Sequence, residues 1–166
     1  MPNYQIREYE SKDRRRLIEL FFEFGDYIKN SDKTVLDLLL VPDNYGPLFF
    51  NKMLQNVKTK NGILYVLEID KKVCGFIAGV IFDAGIKNNE LDCKPHRMGR
   101  VADLFVTECY RGLGYGSKML GKMEKYFKMK KCFKVNIEVF APNVDAYYFY
   151  KKHKYQDRNI DLVKKL

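Results

Sequence analysis

Residues 101–120 read "VADLFVTECYRGLGYGSKML". An apolar run from Val101 to Thr107 leads through Arg111 and three alternate glycines, Gly112, Gly114 and Gly116. Beyond them Met119, Leu120, Met123 and Phe127 recur at helical spacing. Glycine tolerates positive φ and has no Cβ to hold a ligand away from the backbone. The first N–H groups of a helix have no intrahelical acceptor, and with the helix dipole and Arg111 beside them they form a cradle for an anion.

The same spacing excludes two familiar phosphate sites. A dinucleotide-binding turn uses G-x-G-x-x-G, and a phosphate loop follows its glycines with Lys and then Ser or Thr. Here the pattern is G-x-G-x-G followed by Ser117-Lys118, so neither dinucleotide nor ATP binding is favoured.

Outward from this stretch the chain alternates strand and helix patterns. Residues 4–9 alternate as a short strand with Ile6 inward, and Leu17, Leu20, Phe21 and Phe24 mark a helix after Ser11 and Asp13. "TVLDLLLV", 34–41, fits a helix or a buried strand, and a second helix is expected over about 47–58. "GILYVLEID" and "KVCGFIAGVIF" form a hairpin about Asp70 to Lys72; 83–99 is a polar loop, and 100–107 the next strand. A helix over 116–129, a strand over 134–140 and a helix capped by Asn143 follow, and the tail from Tyr155 carries a further strand pattern. The sum is one domain over 1–166, a mixed sheet with helices on its faces.

Composition bounds the function. With 166 residues, 46% hydrophobic and 31% charged, the chain is that of a soluble globular protein. Its longest apolar runs fall far short of the roughly 18 residues of a membrane span, and the N-terminus has no secretion-signal pattern, so a cytoplasmic protein with no membrane partner is expected. Cys74, Cys93, Cys109 and Cys132 contain no C-x-x-C pair, which reads as isolated reduced thiols and no metal site. His153, among lysines, reads as solvated. Net charge is +9, of which residues 101–166 supply +7, pointing to a polyanionic partner near that end.

The stretch 101–120 resembles the acetyl-CoA-binding segment of the Gcn5-related N-acetyltransferase (GNAT) superfamily, whose Gln/Arg-x-x-Gly-x-Gly/Ala signature is matched by Arg111, Gly114 and Gly116. "APNVDAYYFYKKHKY", 141–155, resembles the family's Asn-x-x-Ala-x-x-x-Tyr helix through Asn143, Ala146 and Tyr150. The resemblance implies an α/β fold with a mixed, mostly antiparallel sheet of six to seven strands and about four helices, splayed between the two central strands, 100–107 and 134–140. It implies that the backbone of Leu104, Phe105 and Val106 pairs with the pantetheine arm of acetyl-CoA, the donor substrate. Arg111 and the residues Gly112, Leu113, Gly114, Tyr115, Gly116 and Ser117 would hold the pyrophosphate, and Asn143 would reach the arm. Tyr150 corresponds to the tyrosine that protonates the departing thiolate, a role suited to a phenol of ordinary pKa about 10.

Amine acylation also needs a base, because a protonated amine has no lone pair. Asp103 and Glu68 are carboxylates inside otherwise apolar strands; each fits a base, an anchor for a cationic substrate or a residue at a strand rim. Asp103-Leu104-Phe105-Val106 is most similar to the polyamine acetyltransferase branch, but Ala102 stands where that branch has glutamate, and His153-Lys154 stands where the family usually has a glycine before its last aromatic.

The leading expectation is therefore direct acetyl transfer from acetyl-CoA to a primary amine in a ternary complex. The acceptor is a polyamine-like or aminoglycoside-like amine, or alternatively a protein or peptide. A non-enzymatic nucleic-acid-binding or regulatory module is the competing class, supported by the lysines between 122 and 134 but by no nucleic-acid motif. A homodimer is compatible with the sequence.

Overall fold

The computed structural model describes residues 2–31, 42–84, 96–162 and 164. The stretch 34–41, most of the loop at 83–99 and Cys93 lie outside the described residues. In chain order the elements are β1 (Tyr4–Glu8), α1 (Arg14–Ser31), α2 (Tyr45–Thr59), β2 (Ile63–Ile69), β3 (Lys72–Ala84) and β4 (His96–Val106). Then come α3 (Tyr115–Met129), β5 (Lys134–Asn136) and α4 (Val144–Lys152). The strands form one sheet in the order β1-β2-β3-β4-β5, antiparallel except for the parallel pair β4 and β5.

The β2–β3 hairpin turns on Asp70 and Lys71, both at positive φ (46° and 66°), the two-residue turn whose twist matches that of its strands. Helices α1 and α2 cover one face of the sheet, where Leu17, Leu20, Phe21, Phe50 and Met53 pack on Val66, Phe76 and Phe105. Helix α3 covers the other, where Met119, Leu120, Met123 and Phe127 pack on Leu67, Ile77 and Val101. Burying each such side chain fully stabilises the fold by about 1.5–3 kcal/mol. Gly79 and Gly99 let α3 approach, since a Cβ on either would lie within 2.6 Å of Met123 Sδ or the Phe127 ring.

Two boundaries differ from the sequence reading. Residues 96–99 belong to β4, paired with β3 as far as His96↔Ala84, so the polar loop is shorter than 83–99. The sheet has five strands among the described residues, and the expected six to seven are not found. β5 stops at Asn136 instead of Phe140, and the tail forms no strand, with Ile160 and Leu162 84% and 88% exposed.

The basic stripe on α3 is partly absorbed by the fold. Lys122 Nζ donates to the Ile6 carbonyl at the sheet edge, and Lys118 Nζ lies 4.3 Å from the Tyr4 ring centroid. Both cover β1, which would otherwise present an open edge.

Candidate active site

β4 is longer than its partner β5. Their pairing ends at Arg100↔Asn136, so Val101 to Val106 continue with a strand partner on one side, β3, and none on the other. The pairing ends where β5 itself ends, short of the expected strand to Phe140, and among the described residues the outer edge of Leu104, Phe105 and Val106 has no strand partner. Ala78 opposes Asp103 and Gly79 opposes Val101, which makes Ala102 the extra residue of a β-bulge. The bulge resets the alternation of side chains. Val101 packs with the α3 cluster, whereas Phe105 packs with α1 and α2, and Asp103 shares the face of Phe105.

The glycine turn that follows leaves its backbone open. Gly112 and Gly114 have φ of 75° and 82°, and the space in front of both is open. Gly114 caps α3 in the left-handed conformation with no side-chain cap, and its carbonyl accepts from Lys118 N at 3.2 Å. The N–H groups of Tyr115, Gly116 and Ser117 thus begin a helix with no intrahelical acceptor and no acidic residue in the first turn. Gly116 differs from the other two: its φ is not positive, and a Cβ there would make an ordinary 3.6 Å contact with the Phe149 ring. Leu113, 60% exposed, stands at the rim of this turn.

The Arg111 side chain is engaged at the end of β4. Its Nε donates to the Val106 carbonyl at 2.8 Å, and its guanidinium stacks 4.6 Å from the Tyr27 ring centroid and 5.3 Å from that of Phe105. It clamps the end of β4 to α1. Asn143 caps α4 as expected, its Oδ1 accepting from Ala146 N at 3.3 Å, and it also accepts from Tyr27 Oη at 3.0 Å.

Asp103 is the electrostatic centre of the site. Burial pushes its carboxyl up to about 7. Desolvation, followed by the Asp103 charge, raises the Tyr150 phenol well above its ordinary value. The same two causes push Tyr45, on α2, up to about 12. Burial thus favours the protonated form of both groups, and the Asp103 charge further disfavours ionisation of the Tyr150 phenol. Tyr150 is fixed by its neighbours: its ring meets Phe149 at 5.1 Å and Tyr155 at 5.7 Å, and Tyr155 Oη donates to Glu124 Oε1 on α3 at 3.0 Å.

Glu68 is elsewhere. It lies on β2, separated from β4 by β3, and accepts from Arg7 Nη2 at 2.6 Å, Arg7 Nε at 3.0 Å and Gln5 Nε2 at 2.7 Å. These donors, Arg7 first, hold its carboxyl below the usual range. The structure brings Asp103, Tyr150 and Asn143 to one end of β4 and leaves Glu68 in an ion-pair network with Arg7 and Asp13.

Three residues at the site carried no clear sequence signal. Tyr27 continues the apolar stripe Leu20, Phe21, Phe24, and only its phenolic tip at the end of that stripe hints at another use. Tyr45 opens α2 after a segment of ambiguous pattern. His153, read from sequence as solvated, is half-buried with Nε2 2.9 Å from Ser117 Oγ.

A mixed sheet with one parallel strand pair, whose longer strand runs on into a glycine-rich helix start, carries both sequence motifs at the same end of β4. Residues 30–155 match the model of the acetyltransferase (GNAT) family, and the chain belongs to that family. It is 35% identical over 97 residues to an uncharacterized N-acetyltransferase of Methanocaldococcus jannaschii, covering 58% of this chain and 54%, about half, of that protein's length. It is 30% identical over 118 residues to an N-alpha-acetyltransferase of Sulfurisphaera tokodaii, covering 70% of this chain and 68% of the relative. The fold superposes on glucosamine-6-phosphate N-acetyltransferase from Arabidopsis thaliana with a TM-score of 0.66 at 20% identity, covering 98% of each chain. No helix among the described residues is long and apolar enough to cross a membrane.

Proposed function

We propose that this protein transfers acetyl from acetyl-CoA to the α-amino group of a peptide by direct attack in a ternary complex. The reading is supported by the carboxyl of Asp103, raised by burial, and by the phenol of Tyr150, whose ionisation the Asp103 charge disfavours, beside the strand edge that runs on past Arg100↔Asn136. The pantetheine arm would pair with the outer edge of Leu104 to Val106, and the diphosphate would rest on the N–H groups from Gly112 to Ser117. Bound there, the thioester supplies an activated acyl carbon. Asp103 would take one proton from the incoming ammonium, directly or through water; as the amine nitrogen bonds to the acyl carbon and the C–S bond breaks, Tyr150 would give its proton to the sulfur and regain one from the acylated nitrogen.

The acceptor follows from proton arithmetic. An α-ammonium of ordinary pKa about 7.7–8.0 loses its proton to a base of pKa about 7 at a cost of about 1 kcal/mol. A side-chain ammonium near 10.4 costs about 5 kcal/mol. The base is thus matched to α-amines and poorly matched to lysine or polyamine nitrogens. The similarity to an N-alpha-acetyltransferase points the same way. It moves the preferred acceptor away from the polyamine-like and aminoglycoside-like amines implied by the motif around Asp103, and the missing glutamate at Ala102 agrees with that shift.

The test is CoA release on a panel of peptides with free N-termini, the same peptides N-terminally blocked but carrying lysine, spermidine and an aminoglycoside. Turnover confined to free N-termini is the expected result. Turnover of spermidine or the aminoglycoside with none on peptides sinks the acceptor assignment.

A further inference from the structure

His153 and Ser117 meet where α4 ends and α3 begins. His153 terminates α4, its backbone N–H donating to the carbonyls of Phe149 at 3.3 Å and Tyr150 at 3.0 Å. Its ring lies 4.8 Å from that of Phe149, and Nε2 is 2.9 Å from Ser117 Oγ. The Phe149 ring in turn lies against Gly116. The last turn of the helix that carries Tyr150 is therefore fastened to the first turn of α3, inside the anion cradle.

Ser117 is the third residue of α3, so its N–H is among those without an intrahelical acceptor, and its hydroxyl is carried on the same first turn. A hydroxyl has one proton to donate. If His153 Nε2 accepts, that proton is spent on the imidazole. If Nε2 carries a hydrogen, it donates to Oγ, and the Ser117 proton is free for an anion. An anion in the cradle favours the second arrangement, a relay from His153 Nε2–H to Ser117 Oγ–H to the anion's oxygen, in which the last bond is charge-assisted.

We propose that His153 is a positioning residue for the acyl donor: it orients the Ser117 hydroxyl toward the diphosphate of CoA and so helps set donor affinity. The inference rests on reading this cradle as the CoA diphosphate site. It assigns a use to a histidine that the proton transfers at Asp103 and Tyr150 do not need.

The experiment measures CoA dissociation constants and steady-state kinetics for the wild type, His153→Ala, His153→Gln and Ser117→Ala. S-acetyl-pantetheine, which has no diphosphate, serves as a second donor. Loss of one hydrogen bond to a charged group should weaken CoA binding about tenfold to a hundredfold in Ser117→Ala, and loss of the group that orients it should weaken binding by a smaller factor in His153→Ala. The rise should appear in KM for acetyl-CoA more than in kcat, and the preference for acetyl-CoA over S-acetyl-pantetheine should fall by the same factor. His153→Gln, whose amide N–H can also donate to Ser117, should recover much of the affinity; it and Ser117→Ala carry the test if His153→Ala fails to fold. Wild-type CoA affinity in every variant, or equal losses with both donors, overturns the role of His153 alone. A wild-type protein that binds no CoA overturns the reading of the cradle and this inference with it.

Discussion

Tyr27 Oη donates to Asn143 Oδ1 at 3.0 Å, and the Tyr27 ring underlies the Arg111 guanidinium at 4.6 Å. One residue near the end of α1 thus holds the cap of α4 and the arginine at the end of β4. Tyr27→Phe removes only the hydrogen bond and should cost about 1 kcal/mol of stability. Tyr27→Ala also removes the cation–π contact and should cost more. Urea midpoints of the two variants check the order.

Asp103 should make both activity and stability depend on pH. Its folded pKa of about 7 lies above the ordinary 3.9 of an unfolded aspartate, so the folded state holds the extra proton between those values. Stability therefore falls as pH rises from about 4 to 7, by at most about 4 kcal/mol. Asp103→Asn should melt at a higher temperature than wild type at pH 8, with a smaller difference at pH 4.5. Its kcat/KM should be low and should lose the limb that rises through pH 7 in the wild type.

The network around Arg7 has the opposite sign. Arg7 Nη1 and Nη2 donate to Asp13 at 2.7 and 2.8 Å, and Asp13 is only 4% exposed. Arg7 is the first cause holding both Asp13 and Glu68 below the usual carboxylate range. The stability they contribute is present above about pH 4 and is lost as pH falls through their folded values. Arg7→Ala leaves the Asp13 charge buried and unpaired, which should cost about 3–5 kcal/mol at pH 7, read by thermal unfolding.

Lys154 stands where the resembling motif has glycine, and its φ is 67°. The turn after α4 keeps the left-handed conformation without the residue that adopts it freely. Lys154→Gly relieves about 1 kcal/mol of steric cost, partly offset by the entropy of glycine in the unfolded chain, and should raise the melting temperature slightly. CoA affinity should not change.

These predictions draw unevenly on what the sequence discloses. Periodicity placed α1, α3 and the hairpin closely because each has one apolar face and a clear turn: Leu17 to Phe24, Met119 to Phe127, and Asp70-Lys71. The register from Asn143 to Tyr150 was equally legible, since a helix fixes what a seven-residue spacing brings together. The bulge at Ala102 was not. It depends on pairing with β3, and without it the direction of Asp103 and its separation from Glu68 could not be read. In sequence Glu68 is equivalent to Asp103, each a carboxylate in an apolar strand, because the partner that distinguishes it, Arg7, lies 61 residues away in the chain. His153 was misread for the same reason, as its partner lies 36 residues away.

The role of Tyr150 tests the account most directly. Initial rates of CoA release should be compared for wild type and Tyr150→Phe with a free N-terminal peptide, alongside CoA affinity by calorimetry. A general acid contributes typically 10²–10⁴-fold, so a loss of about a hundredfold or more in kcat with CoA affinity within twofold of wild type is expected. Full activity in Tyr150→Phe would contradict the account.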